Sequence, residues 1–277
     1  MRILRVVEYI QTHLDEDLSV DRLSEVAGFS KYHFHRLFSA HTGTTVARLA
    51  RELRLKQAAY QLAFRPEMRV IEIALEAGFS NPETFARAFR GMHEQSPSEF
   101  RAAPRWREWR TLRFPNSPVE TSMKPTIKTM ETVNLAVLEH RGPPDAVMST
   151  VTRFIEWRKQ SKASPAGKSR TFGIIYDDPD NTEPEKFRFD VCGELVRPLE
   201  SNDYGIVEKS IPGGRVAVQR HLGSYENIGD AVREMYRSWL PTSGEELRDF
   251  PRFFEYVKRM PEVREHEQVT DIYLPLR

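Results

Sequence analysis

Leu23-Ser-Glu-Val-Ala-Gly-Phe-Ser30 returns fifty residues later as Ile73-Ala-Leu-Glu-Ala-Gly-Phe-Ser80. Past the serine the second copy carries one extra residue, and Phe34, Arg36 and Phe38 then align with Phe85, Arg87 and Phe89. A repeat is one structural unit used twice, so it is read before anything else. Its apolar residues keep a helical period. Leu23, Val26 and Ala27 fall at i, i+3, i+4, as do Phe34, Leu37 and Phe38. In the second copy Val70, Ile73, Ala74 and Ala77 form one stripe, and Phe85, Ala88 and Phe89 the next. Gly28 and Gly78 stand just past a helix end, where left-handed backbone favours glycine. Ser30 and Ser80 are placed as N-caps, and Ser80-Asn-Pro-Glu83 reads as a capping box with Pro82 in the first turn. Helix, tight glycine turn, helix is the helix-turn-helix plan, whose second helix enters a major groove. A single copy reads as an ordinary helical hairpin. Two copies with the same turn, each followed by an arginine at the same place, favour DNA.

Between the copies, Val46 to about Phe64 is expected to be one helix, with Leu55, Ala58, Ala59 and Leu62 on its apolar stripe. A rigid helix there fixes the separation of the two reading heads, and about 34 Å would let them enter successive major grooves. On the first recognition helix Lys31, Tyr32, His35 and Arg36 lie off the buried seam. Arginine is the commonest bidentate reader of guanine, so Arg36 and Arg87 lead the base contacts, while Lys31 and Arg90 suit phosphates. Glu83 has two readings, base contact or helix cap. His33, His35 and His41 lack a fourth ligand and a fixed cage, so no metal is expected.

Residues 1–110 resemble the AraC/XylS family DNA-binding domain. The resemblance is carried by Ala27-Gly-Phe-Ser-Lys-Tyr-His-Phe-His-Arg-Leu-Phe38, Thr42-Gly43, Ala77-Gly-Phe-Ser-Asn-Pro-Glu-Thr-Phe-Ala-Arg-Ala-Phe89 and Ser96-Pro-Ser-Glu-Phe-Arg101. It implies base contacts from Tyr32, His35 and Arg36 on one helix and from Glu83, Thr84 and Arg87 on the other. With Lys31, Asn81 and Arg90 these make up the candidate DNA-contacting set. One departure stands out: the glycine usual shortly before Ser-Pro is Glu94 here, so that turn is expected to differ in shape.

The whole chain has 277 residues, 41 Lys+Arg against 40 Asp+Glu, 39% apolar and 29% charged residues. That supports packed cores and points to two domains. Residues 1–110 hold 17 basic and 14 acidic groups, leaving 24 and 26 for the rest, a slight lean toward nucleic acid at the front. One cysteine, Cys192, excludes an internal disulfide framework and a cysteine-based zinc cluster, and fits a reducing compartment. With no signal-peptide h-region and no apolar run near the ~18 residues of a membrane helix, a cytoplasmic protein without membrane contact is expected.

After Phe100 the pattern changes. Arg101, Arg105, Arg107, Arg110 and Arg113 surround Trp106 and Trp109, which reads either as extra phosphate contact or as a tail packed back on the helices. Pro115-Asn-Ser-Pro118 is turn-rich. The expected division is 1–112 for the DNA-binding domain, 113–122 for a linker and 123–277 for a second domain. That domain also repeats: Glu139-His-Arg-Gly142 resembles Arg220-His-Leu-Gly223 at an offset of 81. Each half reads as a strand (Val133 to Glu139; Arg215 to Arg220), a helix (Asp145–Gln160; Tyr225–Leu240) and two further strands. The extended segments are Thr171–Tyr176 and Lys186–Val196, then Phe250–Lys258 and Thr270–Leu276. The fold class is therefore an all-α domain with two helix-turn-helix motifs, then an α+β domain of duplicated β-α-β-β units with a mainly antiparallel sheet. Duplicate halves would leave a cleft between them, a usual place for a small ligand.

This second part resembles the GyrI-like effector-binding domain also seen in Rob-type regulators. The carriers are Tyr176-Asp-Asp-Pro179, Phe187-Arg-Phe-Asp190, His221-Leu-Gly-Ser-Tyr225, Trp239-Leu-Pro, Phe254-Glu-Tyr256 and Thr270-Asp-Ile-Tyr-Leu-Pro-Leu276. The resemblance implies a cleft glutamate and aromatics that hold cationic, amphipathic ligands, at Glu255 with Tyr176, Trp239 and Tyr256. A carboxylate among ring faces suits a cation; alternatively Glu255 sits at the sheet surface and pairs with Lys258 or Arg252, and Trp239 is core. His140 and His221 are expected to be structural. The expected protein is a sequence-specific transcription regulator with no cofactor and no catalytic residue. It binds double-stranded DNA and a small effector, has RNA polymerase as a further candidate partner, and is a monomer or weak dimer. The alternatives are a small-molecule hydrolase using the cleft glutamate, or a protein-docking module.

Overall fold

Apolar stripes at helical spacing become seven helices in the described part of the N-terminal unit. They are α1 (Arg2–Thr12), α2 (Val20–Ala27), α3 (Lys31–Thr42), α4 (Val46–Phe64), α5 (Val70–Glu76), α6 (Pro82–His93) and α7 (Pro97–Ala102). The computed structural model describes residues 2–106 and 124–277. They fall into two compact units, Met1–Glu120 with Arg264–His266, and Thr121–Val263 with Glu267–Arg277. The expected linker and Arg107, Trp109, Arg110 and Arg113 lie outside the described residues.

In the first motif Ile3, Val6, Val7 and Ile10 of α1 close over Leu23, Ala27, Phe34 and Phe38, with Leu49 of α4 beneath. Gly28 turns the chain between α2 and α3 at φ 63°, its N–H donating to the carbonyls of Glu25 and Ser24. In the second motif Leu55, Ala58, Ala59 and Leu62 of α4 are buried with Ile73, Ala74, Phe85, Phe89 and Phe100. A run of rings follows: Phe89 against Phe100 at 5.4 Å, Phe100 against Trp106 at 5.2 Å, and Trp106 against Tyr60 at 5.1 Å. Trp106 therefore packs back on the helices.

Two local expectations need correction. The second recognition helix is capped by Asn81, not Ser80: its Oδ1 accepts from the backbone N–H of Glu83 at 2.7 Å and of Thr84 at 3.4 Å. Pro82 opens the helix at the residue after Asn81, so the cap falls one position later than a serine box would place it. Ser30 does stand at the N-cap of α3, without a side-chain hydrogen bond to the helix. The turn at Glu94 keeps a left-handed shape, φ 56°, with a side chain where glycine is easier, and its N–H still donates to the Arg90 carbonyl.

The C-terminal unit holds β1 (Thr126–Met130), β2 (Val133–Arg141), α8 (Val147–Gln160), β3 (Thr171–Ile175), β4 (Arg188–Glu194), β5 (Val207–Ile211) and β6 (Gly214–Leu222). It continues with α9 (Ile228–Glu234), α10 (Leu240–Ser243), β7 (Phe253–Lys258) and β8 (Val269–Pro275). Each half thus gains one strand over the sequence reading, β1 and β5. The second helix is also less regular than expected, because residues Met235–Trp239 form a π turn between α9 and α10. All strand pairs are antiparallel, in the order β1-β6-β8-β7-β3-β4-β2-β5.

That order forces the sheet to curl. β1 and β2 lie near opposite ends of it, yet only two residues join them, and the same holds for β5 and β6. So short a link spans at most about 10 Å, and the two connections touch: Gly213 N–H donates to Thr132 Oγ1 at 3.0 Å. The inner face carries Val133, Leu135, Val137, Phe172, Ile174, Cys192, Ile211 and Phe253. On the outer face Phe154 and Trp157 of α8 and Ala231 and Val232 of α9 cover Leu138, Val191, Phe254, Ile272 and Leu274. The halves meet where Gly173 pairs with Phe254, 81 residues apart. They join by a hydrogen-bonded strand pair, so any ligand site lies over one face of a continuous sheet.

Candidate DNA interface and ligand site

On α3 the candidate contacts Lys31, Tyr32, His35 and Arg36 are all exposed, with Tyr32 at 90%, and His33, Ala40 and His41 are exposed as well. Tyr32, His35 and Arg36 stand at i, i+3 and i+4 and so share a face. At the N-cap of α6 and along it Asn81, Glu83, Thr84, Arg87 and Arg90 are all exposed, with Pro82 and Gly91. Arg36 and Arg87 have no ion-pair partner among the described residues, which leaves both guanidinium forks open. Lys31 Nζ lies 2.6 Å from Asp21 Oδ1 and Arg90 lies 3.6 Å from Glu99, all on exposed side chains. Such pairs are weak enough to exchange for phosphate. Asn81 spends its carbonyl on the cap and keeps its amide N–H groups; the Glu83 carboxylate is exposed and is not the cap. Between the two motifs, the 19 residues of α4 run about 28 Å.

Sheet parity divides the four expected ligand residues into two pairs. Glu255 and Tyr176 belong to the inner face, Tyr256 and Trp239 to the outer one. Glu255 Oε2 accepts from Tyr273 OH at 2.8 Å and pairs with neither Lys258 nor Arg252. It has no ion-pair partner among the described residues. Arg170 and Arg220 feel its charge, but each is held by another acid, Glu194 at 2.8 Å and Asp271 at 2.8 Å. Around it stand Phe172, directly cross-strand, and Tyr273, stacked on Phe253 at 4.7 Å. Burial, then the neighbouring Glu255 charge, raises the Tyr273 phenol, so it stays a donor.

Tyr176 belongs to a second cluster on that face. Its OH donates to Asp190 Oδ2 at 2.8 Å, and the buried Asp190 also accepts from Lys209 at 2.7 Å and Arg141 at 3.1 Å. Burial, with the Asp190 bond second, pushes the Tyr176 phenol up to about 12. Burial opposes the charge on Lys209, but its bonds to Asp190 and Glu139 outweigh that and its pKa is raised. On the outer face, Tyr256 and Trp239 pack on the helix-side core, and Tyr225 meets Tyr256 edge-on at 5.3 Å. Gly173 is required there: a Cβ would stand 2.5 Å from the Phe189 ring and 2.9 Å from the Tyr256 hydroxyl. Tyr273 was missing from the sequence-derived set; strand alternation puts it on the Glu255 face only once the β7–β8 register is known.

No group of three His, Cys, Asp or Glu that could hold a metal occurs among the described residues. No described helix is long and apolar enough to cross a membrane.

Paired helix-turn-helix motifs and a duplicated, curled α+β sheet define a two-part protein of the regulator type. The chain belongs to the GyrI-like small molecule binding domain family, whose model matches residues 123–277, and a helix-turn-helix domain model matches residues 23–103. It is 42% identical over 144 residues to the probable transcriptional regulator YgiV of Escherichia coli K12, covering 52% of this chain and 90% of that protein. It is 36% identical over 100 residues to the right origin-binding protein of Escherichia coli K12, covering 35% of this chain and 34% of that one. Among solved structures, the AdpA DNA-binding domain in complex with a target DNA is 31% identical, covers 36% of this chain and 90% of that chain, and has a TM-score of 0.34. The EcmrR C-terminal domain is 17% identical, covers 56% of this chain and 97% of that chain, and has a TM-score of 0.45.

Proposed function

We propose that this protein is a sequence-specific DNA-binding transcription regulator whose C-terminal unit binds a small cationic, aromatic effector. The observation that carries the reading is the pair of exposed recognition helices with open arginines, Arg36 and Arg87, at matching places in two copies of one motif. Names of the relatives, transcriptional regulators among them, support it. The effector part rests on Glu255, a half-buried carboxylate bonded to a phenol and lined by Phe172, Phe253 and Tyr273. Such a carboxylate favours a cation that brings its own ring surface. In this reading Tyr256 and Trp239 serve the helix-side core, and no residue acts as a catalyst. Selection of bound duplexes from a random pool tests the DNA part: enrichment of one motif is expected, and a pool that stays random overturns it. Effector turnover, lost in Glu255→Gln, would replace sensing by hydrolysis.

A further inference from the structure

The offset of 81 that relates the two halves holds in detail at the helix side of the sheet. Gly142 N–H donates to the Phe187 carbonyl at 3.1 Å, and Gly223 N–H to the Gln268 carbonyl at 2.9 Å. His140 pairs across strands with Phe189, and His221 with Thr270. His140 Nε2 bonds the Pro143 carbonyl at 3.0 Å, and His221 Nε2 the Ser224 carbonyl at 2.9 Å. Matching positions can therefore be compared side by side.

The comparison is one-sided. Where the first half has Leu138, Phe187 and Phe189, all buried, the second has Gln219, Gln268 and Thr270. These three are as buried as a core residue can be, at 1%, 1% and 0% exposure. In the first half His140 Nδ1 is satisfied by Thr150 Oγ1 at 2.8 Å; the residue matching Thr150 is Ala231, which offers nothing. Both side-chain polar atoms of Gln219, the Gln268 Oε1, the Thr270 hydroxyl and His221 Nδ1 are all without a hydrogen-bond partner among the described residues. They form one patch on adjacent strands β6 and β8 and the residue just before β8, Gln268, all on the helix side. Two phenyl rings of the first half have given way to shorter side chains, and the helix over the second half breaks into a π turn at Met235–Trp239. π turns of this kind recur at functional sites. Buried polar atoms left unpaired are costly and call for a partner.

We propose that this patch is a second binding site, for an uncharged group that both donates and accepts: a carboxamide or ureide on a small molecule. The inventory fits such a group. Gln219 Nε2 and the Thr270 hydroxyl donate to its carbonyl. Gln219 Oε1, Gln268 Oε1 and His221 Nδ1 accept from its N–H groups, because His221 Nε2 must keep its proton to meet the Ser224 carbonyl. None of these side chains carries a charge with its histidine neutral, so the wall favours neither cation nor anion. The site lies on the opposite sheet face from Glu255 and goes beyond the effector reading given above.

Benzamide and acetophenone, matched in shape and differing in NH2 against CH3, test it on the full chain. Benzamide is expected to bind at least fivefold more tightly by calorimetry or ligand-detected NMR. That preference should vanish in Gln219→Leu, which installs the first half's own residue, and in Thr270→Val. A crystal structure with benzamide should place its amide on Gln219 and Thr270. Equal affinity for the two probes overturns the proposal, as does a preference that survives both variants. So does a structure in which ordered water satisfies these atoms and benzamide does not displace it. Any of those failures leaves the DNA and Glu255 readings standing, since each is read by a different measurement.

Discussion

At the scale of single residues, the arginines at matching places carry the sharpest expectation. Arg36→Ala and Arg87→Ala should each weaken specific binding by about 1–3 kcal/mol and relax preference at one base position. The relaxed positions should lie about ten base pairs apart, one turn of the duplex. Binding-site selection with each variant reads this directly; two unaltered motifs would remove these helices from the groove. Glu94 gives a test of a different kind. Its φ of 56° is a conformation that a side chain adopts at a cost, so Glu94→Gly should raise the stability of the N-terminal unit by about 1 kcal/mol. An unchanged or lower melting temperature would mean that the contacts of the glutamate outweigh the strain. Glu255→Gln keeps shape and removes charge. A contact between unit charges, worth about 1–4 kcal/mol at ~4 Å near a protein surface, should then be lost for a cationic aromatic dye, and spared for a neutral ligand of equal size.

At the scale of elements, His93 ties α6 to the rest of its motif. Its ring stacks on Phe89 at 4.2 Å and meets Phe100 edge-on at 5.1 Å, and burial lowers its pKa from 6.5 to about 4. The folded state therefore keeps it neutral while the unfolded chain takes up a proton between those values. Stability should fall as pH drops from about 6.5 toward 4, by at most about 3 kcal/mol. Between those pH values His93→Leu should lose less stability than the parent by about that amount; parallel profiles of the denaturant midpoint would exclude this histidine as the cause. The helical elements were legible because a buried stripe and a glycine turn are local signals, and α4 begins and ends where its apolar period does. The strands β1 and β5 were not: Thr-Ile-Lys-Thr-Met and Val-Glu-Lys-Ser-Ile sit at sheet edges, mostly exposed, and carry too little apolar alternation to read. The split between Glu255 and Tyr256 follows from strand parity alone, since neighbours on a strand face opposite ways. The unpaired Nδ1 of His221 could not be read that way, because it depends on what Ala231 fails to supply from another element.

At the scale of the molecule, the two compact units predict separable behaviour. Residues 1–110 alone should bind specific duplex, and residues 122–277 alone should fold and bind the cationic dye; a C-terminal piece without a cooperative melt would contradict the division. The contacts of that C-terminal unit join distant parts of the chain, with Thr126 beside Val218 and Phe172 beside Glu255, so it should fold more slowly than the helical one. The position of β8 adds a consequence for synthesis. It is the last of the described strands in sequence order, yet it lies between β6 and β7, and through them it joins β1-β6 to the other five strands. A growing polypeptide can finish its helical half on the ribosome, but its sheet stays in two pieces until Val269–Pro275 has cleared the exit tunnel. Loss of Val269–Pro275 would thus yield not a shortened regulator but a reading head tethered to an unfinished sheet, a substrate for proteolytic clearance.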